Sequence, residues 1–158
     1  TRYKLVTGVQ TCALPIYNSL FDKAEVMLYL KDVKYPLALD LAVPTFGWGV
    51  RFNAQKEFIA LCNSMQLNEV KNDTNFIATQ RPNLFVVKHD CGTYGQYFYA
   101  GELVRIEESN LPDVTEVVSY LKTQLNQPNA TLTLFHFDRI LKQHENQKEI
   151  IEIFNAAR

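Results

Sequence analysis

Residues 37–43 read LALDLAV, and Pro44 stops the run. In an extended chain Leu39, Leu41 and Val43 share one face, and Ala38, Asp40 and Ala42 share the other. A nearly continuous apolar strand fits a sheet covered on both faces, as in parallel α/β folds. Small residues around one carboxylate suit a crowded interior such as that of a barrel. Asp40 is expected to hold a structural hydrogen bond there rather than to act as a perturbed carboxylate.

Moving outward, residues 25–30 (EVMLYL) and 131–137 (TLTLFHF, ending at Asp138) read as two more apolar strands. Only residues 31–36 join the first two runs, and parallel neighbours need a crossover of about a dozen residues. A helix would then be missing or reduced at this point. Between the second and third runs the pattern changes. Phe58, Leu61, Cys62 and Met65 fall at helical spacing within residues 56–65. Residues 84–88 and 96–99 flank Asp90-Cys-Gly-Thr-Tyr-Gly95 and read as a hairpin with a glycine-bearing loop. Residues 103–107 alternate apolar and charged side chains, which predicts a half-exposed strand, and Glu107-Glu108 reads as a solvated charge run. Asp113 and Glu116 form a capping-box pattern ahead of a stripe of Val114, Val117, Val118, Leu121 and Leu125. Asn146 and Glu149 repeat it for a last helix, with Ile150, Ile153 and Phe154 on one face.

Composition narrows the function classes. The 158 residues carry 16 basic and 17 acidic side chains, so no nucleic-acid or membrane-surface field is expected. No run approaches the ~20 apolar residues of a membrane span. The cysteines are Cys12, Cys62 and Cys91, with no C-x-x-C pair, so neither a zinc site nor a disulfide framework is expected. His136 and Asp138 share a strand face, with His144 downstream. They read as a core-adjacent histidine and a strand-end carboxylate rather than metal ligands. No cofactor is expected.

The first residues carry a resemblance of their own. Val6-Thr-Gly-Val-Gln-Thr-Cys-Ala-Leu-Pro-Ile16 resembles the in-frame translation of a short-read sequencing adapter. Residues 1–16 are therefore expected to be non-native, and the chain to be a truncated metagenomic piece beginning near Tyr17.

Three strand ends carry a second resemblance. Val26-Met27-Leu28-Tyr29 is similar to the M-x-Y strand of chitinase-like family-18 glycoside hydrolases. Residues 39–48 (LDLAVPTFGW) are similar to their L-G-L-P-x-Y-G strand, and residues 131–138 (TLTLFHFD) to their final G-V-M-x-W-x-x-D strand. The resemblance implies an α/β fold: the C-terminal part of a (β/α) barrel with a small α+β insertion. Barrel strands would occupy residues 17–52, the insertion 53–110, and the final helix, strand and C-terminal helix 111–158. It implies an oligosaccharide ligand, a secreted or cell-surface bacterial location, and substrate contacts from Tyr29, Phe46, Trp48, Phe135 and Asp138. Trp48 also follows a strand end and Gly47, where a barrel places ligand loops. The sequence departs from the pattern. Leu30 stands where the family has an aspartate, and Phe135 where it has a tryptophan. The D-x-x-D-x-D-x-E motif that supplies the general acid is absent, and glycoside hydrolysis needs that proton donor. No catalytic residue is therefore identified.

An alternative lies in Val86-Val87-Lys88 followed by Gly92-Thr-Tyr-Gly95, which resembles the lysine-plus-glycine loop of ATP-grasp ligases of the glutamate–cysteine type. Lys88 and the loop would hold ATP phosphates. Magnesium ligands could come only from Glu149, Glu152 and Asn155. The plainer reading is a hairpin turn that uses Gly92 and Gly95 for positive φ. A third reading is a non-catalytic sugar-binding surface protein.

Overall fold

The computed structural model describes residues 18–31, 39–63, 65–125, 131–135 and 146–157. In chain order its elements are α1 (Lys23–Leu30), β1 (Leu41–Pro44), β2 (Gly47–Phe52), β3 (Phe58–Cys62), α2 (Leu67–Asn72), β4 (Phe76–Ala78), β5 (Leu84–Val87), β6 (Cys91–Thr93), β7 (Gln96–Phe98), β8 (Leu103–Glu108), α3 (Leu111–Leu125), β9 (Leu132–Phe135) and α4 (Asn146–Ala156).

These elements do not form the expected part of a (β/α) barrel. The largest sheet has five strands in the order β3-β2-β8-β5-β4, and every pairing in it is antiparallel. Parallel pairing among the described residues is confined to β1 and β9, with Leu41 opposite Leu132 and Pro44 opposite Phe135. β6 and β7 make a separate hairpin. The segment read as an insertion therefore supplies four of the five strands of the main sheet, and β2 comes from the segment read as barrel strands.

The first misreading is local. Residues 25–30 are helical, not extended. A six-residue apolar run cannot separate helix from strand by periodicity. The Asp22 carboxylate decides it by accepting the Glu25 N–H at 3.0 Å as an N-cap. Ala24, Glu25, Met27 and Leu28 are good helix formers. The chain between Leu30 and Leu41 now joins a helix to a strand, so no crossover is needed. Lys23 ties α1 to α3 through Asp113 at 3.0 Å and Glu116 at 2.9 Å.

The second is the helical stripe at residues 56–65. Phe58–Cys62 is strand β3, paired so that Gly49 faces Cys62. Phe58 and Leu61 are exposed while Cys62 and Met65 are buried, so the stripe is split between two environments. Aromatic and β-branched residues, here Phe58 and Ile59, fit a pleated surface.

Two cores are formed among the described residues. One lies on the sheet face that carries Val104, Ile106, Phe85 and Val87, closed by Val70 of α2 and Phe98 of the hairpin. The other joins Val43 of β1 to Leu111, Val114 and Val118 of α3 and Ile153 of α4. The α3 stripe is as expected, with Val114, Val117, Val118 and Leu121 buried. Its cap is not Asp113 but Asn110, whose side chain accepts the Asp113 N–H at 3.0 Å. On α4 Ile153 is buried and Phe154 is exposed. The hairpin also differs from expectation. Its strands are β6 and β7, and Leu84–Val87 instead pairs with β4 and β8.

Candidate functional site

The parallel pair ends at Phe135, and the chain leaves β1 there. Thr45 clamps the two ends: its N–H donates to the Phe135 carbonyl at 3.3 Å and its hydroxyl to the same oxygen at 3.4 Å. Phe46 then bridges to the five-stranded sheet, its carbonyl accepting the Ser109 N–H at 3.0 Å. Trp48 enters β2 opposite Glu107 of β8.

This route stacks three rings. Phe46 meets Trp48 edge-on, with centroids 5.3 Å apart and planes at 74°. It meets Phe135 at 5.8 Å and 62°. Such edge-to-face pairs are favourable beyond their buried area. Phe46 and Trp48 are half-buried, and Phe135 is 59% exposed. The cluster is thus anchored on one side and open on the other.

A buried carboxylate holds the indole. Trp48 Nε1–H donates to Glu107 Oε2 at 3.0 Å. Glu107 is 0% exposed. It also accepts from the Ser19 hydroxyl, and Arg105 Nε donates to its Oε1 at 2.7 Å. Arg105 and Glu107 lie two apart on β8, so they share a face, and their guanidinium and carboxylate form an ion pair. Asn18 Nδ2 donates to the Glu108 carbonyl at 2.7 Å and brings Ser19 into place. Gly47 permits the approach of β2 to β8. A Cβ there would sit 2.6 Å from Glu108 Cγ and 2.9 Å from the Glu107 carbonyl.

The opposite sheet face carries a second buried charge pair. Arg51 Nη2 donates to Glu102 Oε2 at 2.6 Å and to the Tyr97 carbonyl at 2.9 Å, and Nη1 donates to Gln96 Oε1 at 2.9 Å. The guanidinium lies 4.3 Å from the Phe98 ring centroid. Cys62 Sγ donates to the same Gln96 oxygen at 3.2 Å. Burial pushes the Cys62 thiol up to about 11, and the Glu102 charge adds to it against the opposing pull of Arg51. These groups tie the hairpin to the sheet.

Of the residues expected to touch a ligand, Phe46, Trp48 and Phe135 come together. Tyr29 does not join them: it stands on α1, 77% exposed, with no ring contact to another described residue. Asp138 lies outside the described residues, as do His136 and His144. Asp40 accepts the Thr131 N–H at 2.8 Å and so pins the start of the parallel pair.

Lys88 is exposed, and its N–H donates to the Asn75 carbonyl at 2.8 Å. Tyr94 and Gly95 form the two-residue turn of the hairpin, at φ 49° and 70°. Such turns require positive φ at both central residues. The Tyr94 ring packs 6.0 Å from Phe76, which fastens this turn to the core.

The reading of Glu107-Glu108 as a solvated run is overturned. Glu107 is enclosed, and Glu108 Oε1 accepts the Leu67 N–H at 2.5 Å. The strand that looked half-exposed is buried from Val104 through Glu107 because its charges are paired within the fold. The only sequence signal was the Arg105–Glu107 spacing on one strand face.

Among the described residues no group of three His, Cys, Asp or Glu side chains is placed to hold a metal ion. None of the described helices is long and apolar enough to cross a membrane. Compared with protein-family models, curated proteins and solved structures, the chain shows no match.

Proposed function

We propose that the chain binds carbohydrate through the shelf formed by Phe46, Trp48 and Phe135. The observation that carries this reading is the meeting of three rings from β9, the β1–β2 link and β2, open on the Phe135 side and backed by a charge that fixes the indole. Ligand sites are largely apolar and aromatic, with a few fixed polar groups. Ring faces suit the C–H faces of sugars, and a held indole loses little freedom on binding. The resemblance of residues 39–48 and 131–138 to strands of chitinase-like glycoside hydrolases supports the same ligand class; residues 26–29, helical here, add nothing to it.

Binding is proposed rather than cleavage. Among the described residues Glu107 is the carboxylate in hydrogen-bond contact with the shelf, and its oxygens already take Ser19, Trp48 and Arg105. A general acid must instead carry a proton to the glycosidic oxygen.

The test uses the single tryptophan of the chain. Neutral oligosaccharides, β-linked glucose and N-acetylglucosamine series included, are titrated while Trp48 emission is followed. A saturable change is expected, weakened about 10-fold or more in Phe135→Ala, a loss of about 1.4 kcal/mol. Unchanged emission across these series, with no binding by calorimetry, removes the proposal.

A further inference from the structure

β1 is paired on one side. Its partner is β9, and among the described residues no strand lies along its other edge. The Leu41 N–H donates to the Thr131 carbonyl at 2.8 Å, and the Thr45 N–H donates to that of Phe135 at 3.3 Å. Backbone groups alternate in direction along a strand, so Leu41, Val43 and Thr45 address β9 while Ala42 turns its N–H and C=O to the free edge. Ala42 is exposed. Pro44 faces the same way without an N–H, which suits an edge strand and ends the available ladder.

A groove of about 240 Å³ follows this edge, lined by residues 39–43 with Leu30 of α1 and Leu121 of α3. Lys23 ties α1 to α3 through Asp113 and Glu116, which fixes the two helical walls. Val43 packs on Val114 and Val118 of α3, so Leu41, on the same strand face, turns toward the helices. Asp40 is exposed, and its carboxylate, which accepts the Thr131 N–H at 2.8 Å, is the single charge in the lining.

We propose that the free edge of β1 takes up an extended peptide as an added antiparallel strand, with apolar side chains toward Leu30 and Leu121 and a basic one beside Asp40. In antiparallel pairing one peptide residue exchanges both bonds with Ala42, and the residue two further on lies opposite Asp40. Strand addition takes its affinity from such main-chain bonds and its specificity from alternate side chains. The apolar lining selects the first set of side chains and the lone carboxylate the second. A second copy of β1 fits less well. Centred on Ala42 it would set Pro44 opposite Asp40 on both sides, where proline returns no bond, and it would bring no cation to either carboxylate.

The experiment follows the anisotropy of a labelled peptide, S-V-T-V-K-V-S, titrated with the full chain. Its threonine is placed opposite Ala42 and its lysine opposite Asp40. Saturable binding is expected. N-methylation of the threonine nitrogen, which removes the N–H offered to Ala42, should weaken it about 10-fold or more. Ala42→Pro, checked for folding by circular dichroism, should do the same from the other side. Replacing the peptide lysine by glutamate should weaken binding about 3-fold or more, and Asp40→Asn should abolish that difference. No saturable binding at millimolar chain overturns the proposal. Undiminished binding of the N-methylated peptide shows an apolar groove rather than an added strand and overturns it too. Equal binding of the lysine and glutamate peptides by the parent overturns the role of Asp40. A parent dimer that Ala42→Pro makes monomeric would give the edge to a second copy instead.

Discussion

Trp48 and Glu107 face each other across β2 and β8, and the indole N–H donates to the carboxylate at 3.0 Å. The carboxylate has no exposed surface and also neutralises Arg105. Glu107→Gln keeps the shape and removes the charge. Truncating one partner of a buried pair costs about 3–5 kcal/mol, because the other charge is left uncompensated. The expected outcome is a loss of that size in urea denaturation, with a red shift of Trp48 emission in the folded state. A loss below about 1 kcal/mol would show that the pair is not buried in solution.

Arg51 and Glu102 make the matching test on the opposite face. Arg51→Met alone should destabilise by about 3–5 kcal/mol, and Arg51→Met/Glu102→Leu by less than either single change. The sign of the coupling in the double-mutant cycle is the measurement. Additive losses would mean that the two side chains do not share one buried environment.

The Cys62 thiol is held up to about 11 from an ordinary value of 9.0, first by burial. A thiol is neutral when protonated, so the folded chain resists losing this proton more than the unfolded chain does. The stability linked to Cys62 is present below pH 9 and is lost as pH rises through about 11. Denaturation of the parent and Cys62→Ala at pH 8, 9.5 and 10.5 should show the parent losing ground from pH 9.5 and further at pH 10.5. Ellman's reagent should reach Cys62 only on unfolding, in a chain with Cys12 and Cys91 replaced by serine. Rapid labelling of the folded chain at pH 8 would contradict its burial.

Gly47→Ala should cost about 1–3 kcal/mol, the range for overpacking. The added methyl meets the Glu107 backbone, which cannot swing aside. Trp48 emission should change with stability, since the same approach seats the indole. Gly95→Ala should cost about 1 kcal/mol through its positive φ, without touching Trp48 emission. Equal effects on emission would break the link between Gly47 and the shelf.

β3 lies at one end of the five-stranded sheet order and shows Phe58 and Ile59 to solvent. Apolar edge strands template association, and charge on the edge blunts it. Ile59→Lys is expected to lower concentration-dependent self-association, followed by light scattering. No difference between parent and variant would exclude this strand as the cause.

Several local features were legible in the sequence. The α3 stripe of Val114, Val117, Val118 and Leu121 follows from helical spacing, and the apolar runs at β1 and β9 follow from their composition. The turn at Gly95 follows from the φ that glycine permits. Phe46, Trp48 and Phe135 are each legible as aromatics near strand ends, but nothing local says that Phe46 and Phe135, 89 positions apart, meet. Residues 25–30 and 58–62 had to be decided by context, because a short apolar run serves helix and strand alike until a cap or a paired strand chooses. Glu107 shows the division most plainly. The residue type determines only that its charge must be hydrated or paired. The tertiary structure chose pairing by bringing up Ser19 from 88 positions away and Trp48 from 59, because a buried carboxylate is tolerated only where donors converge on it.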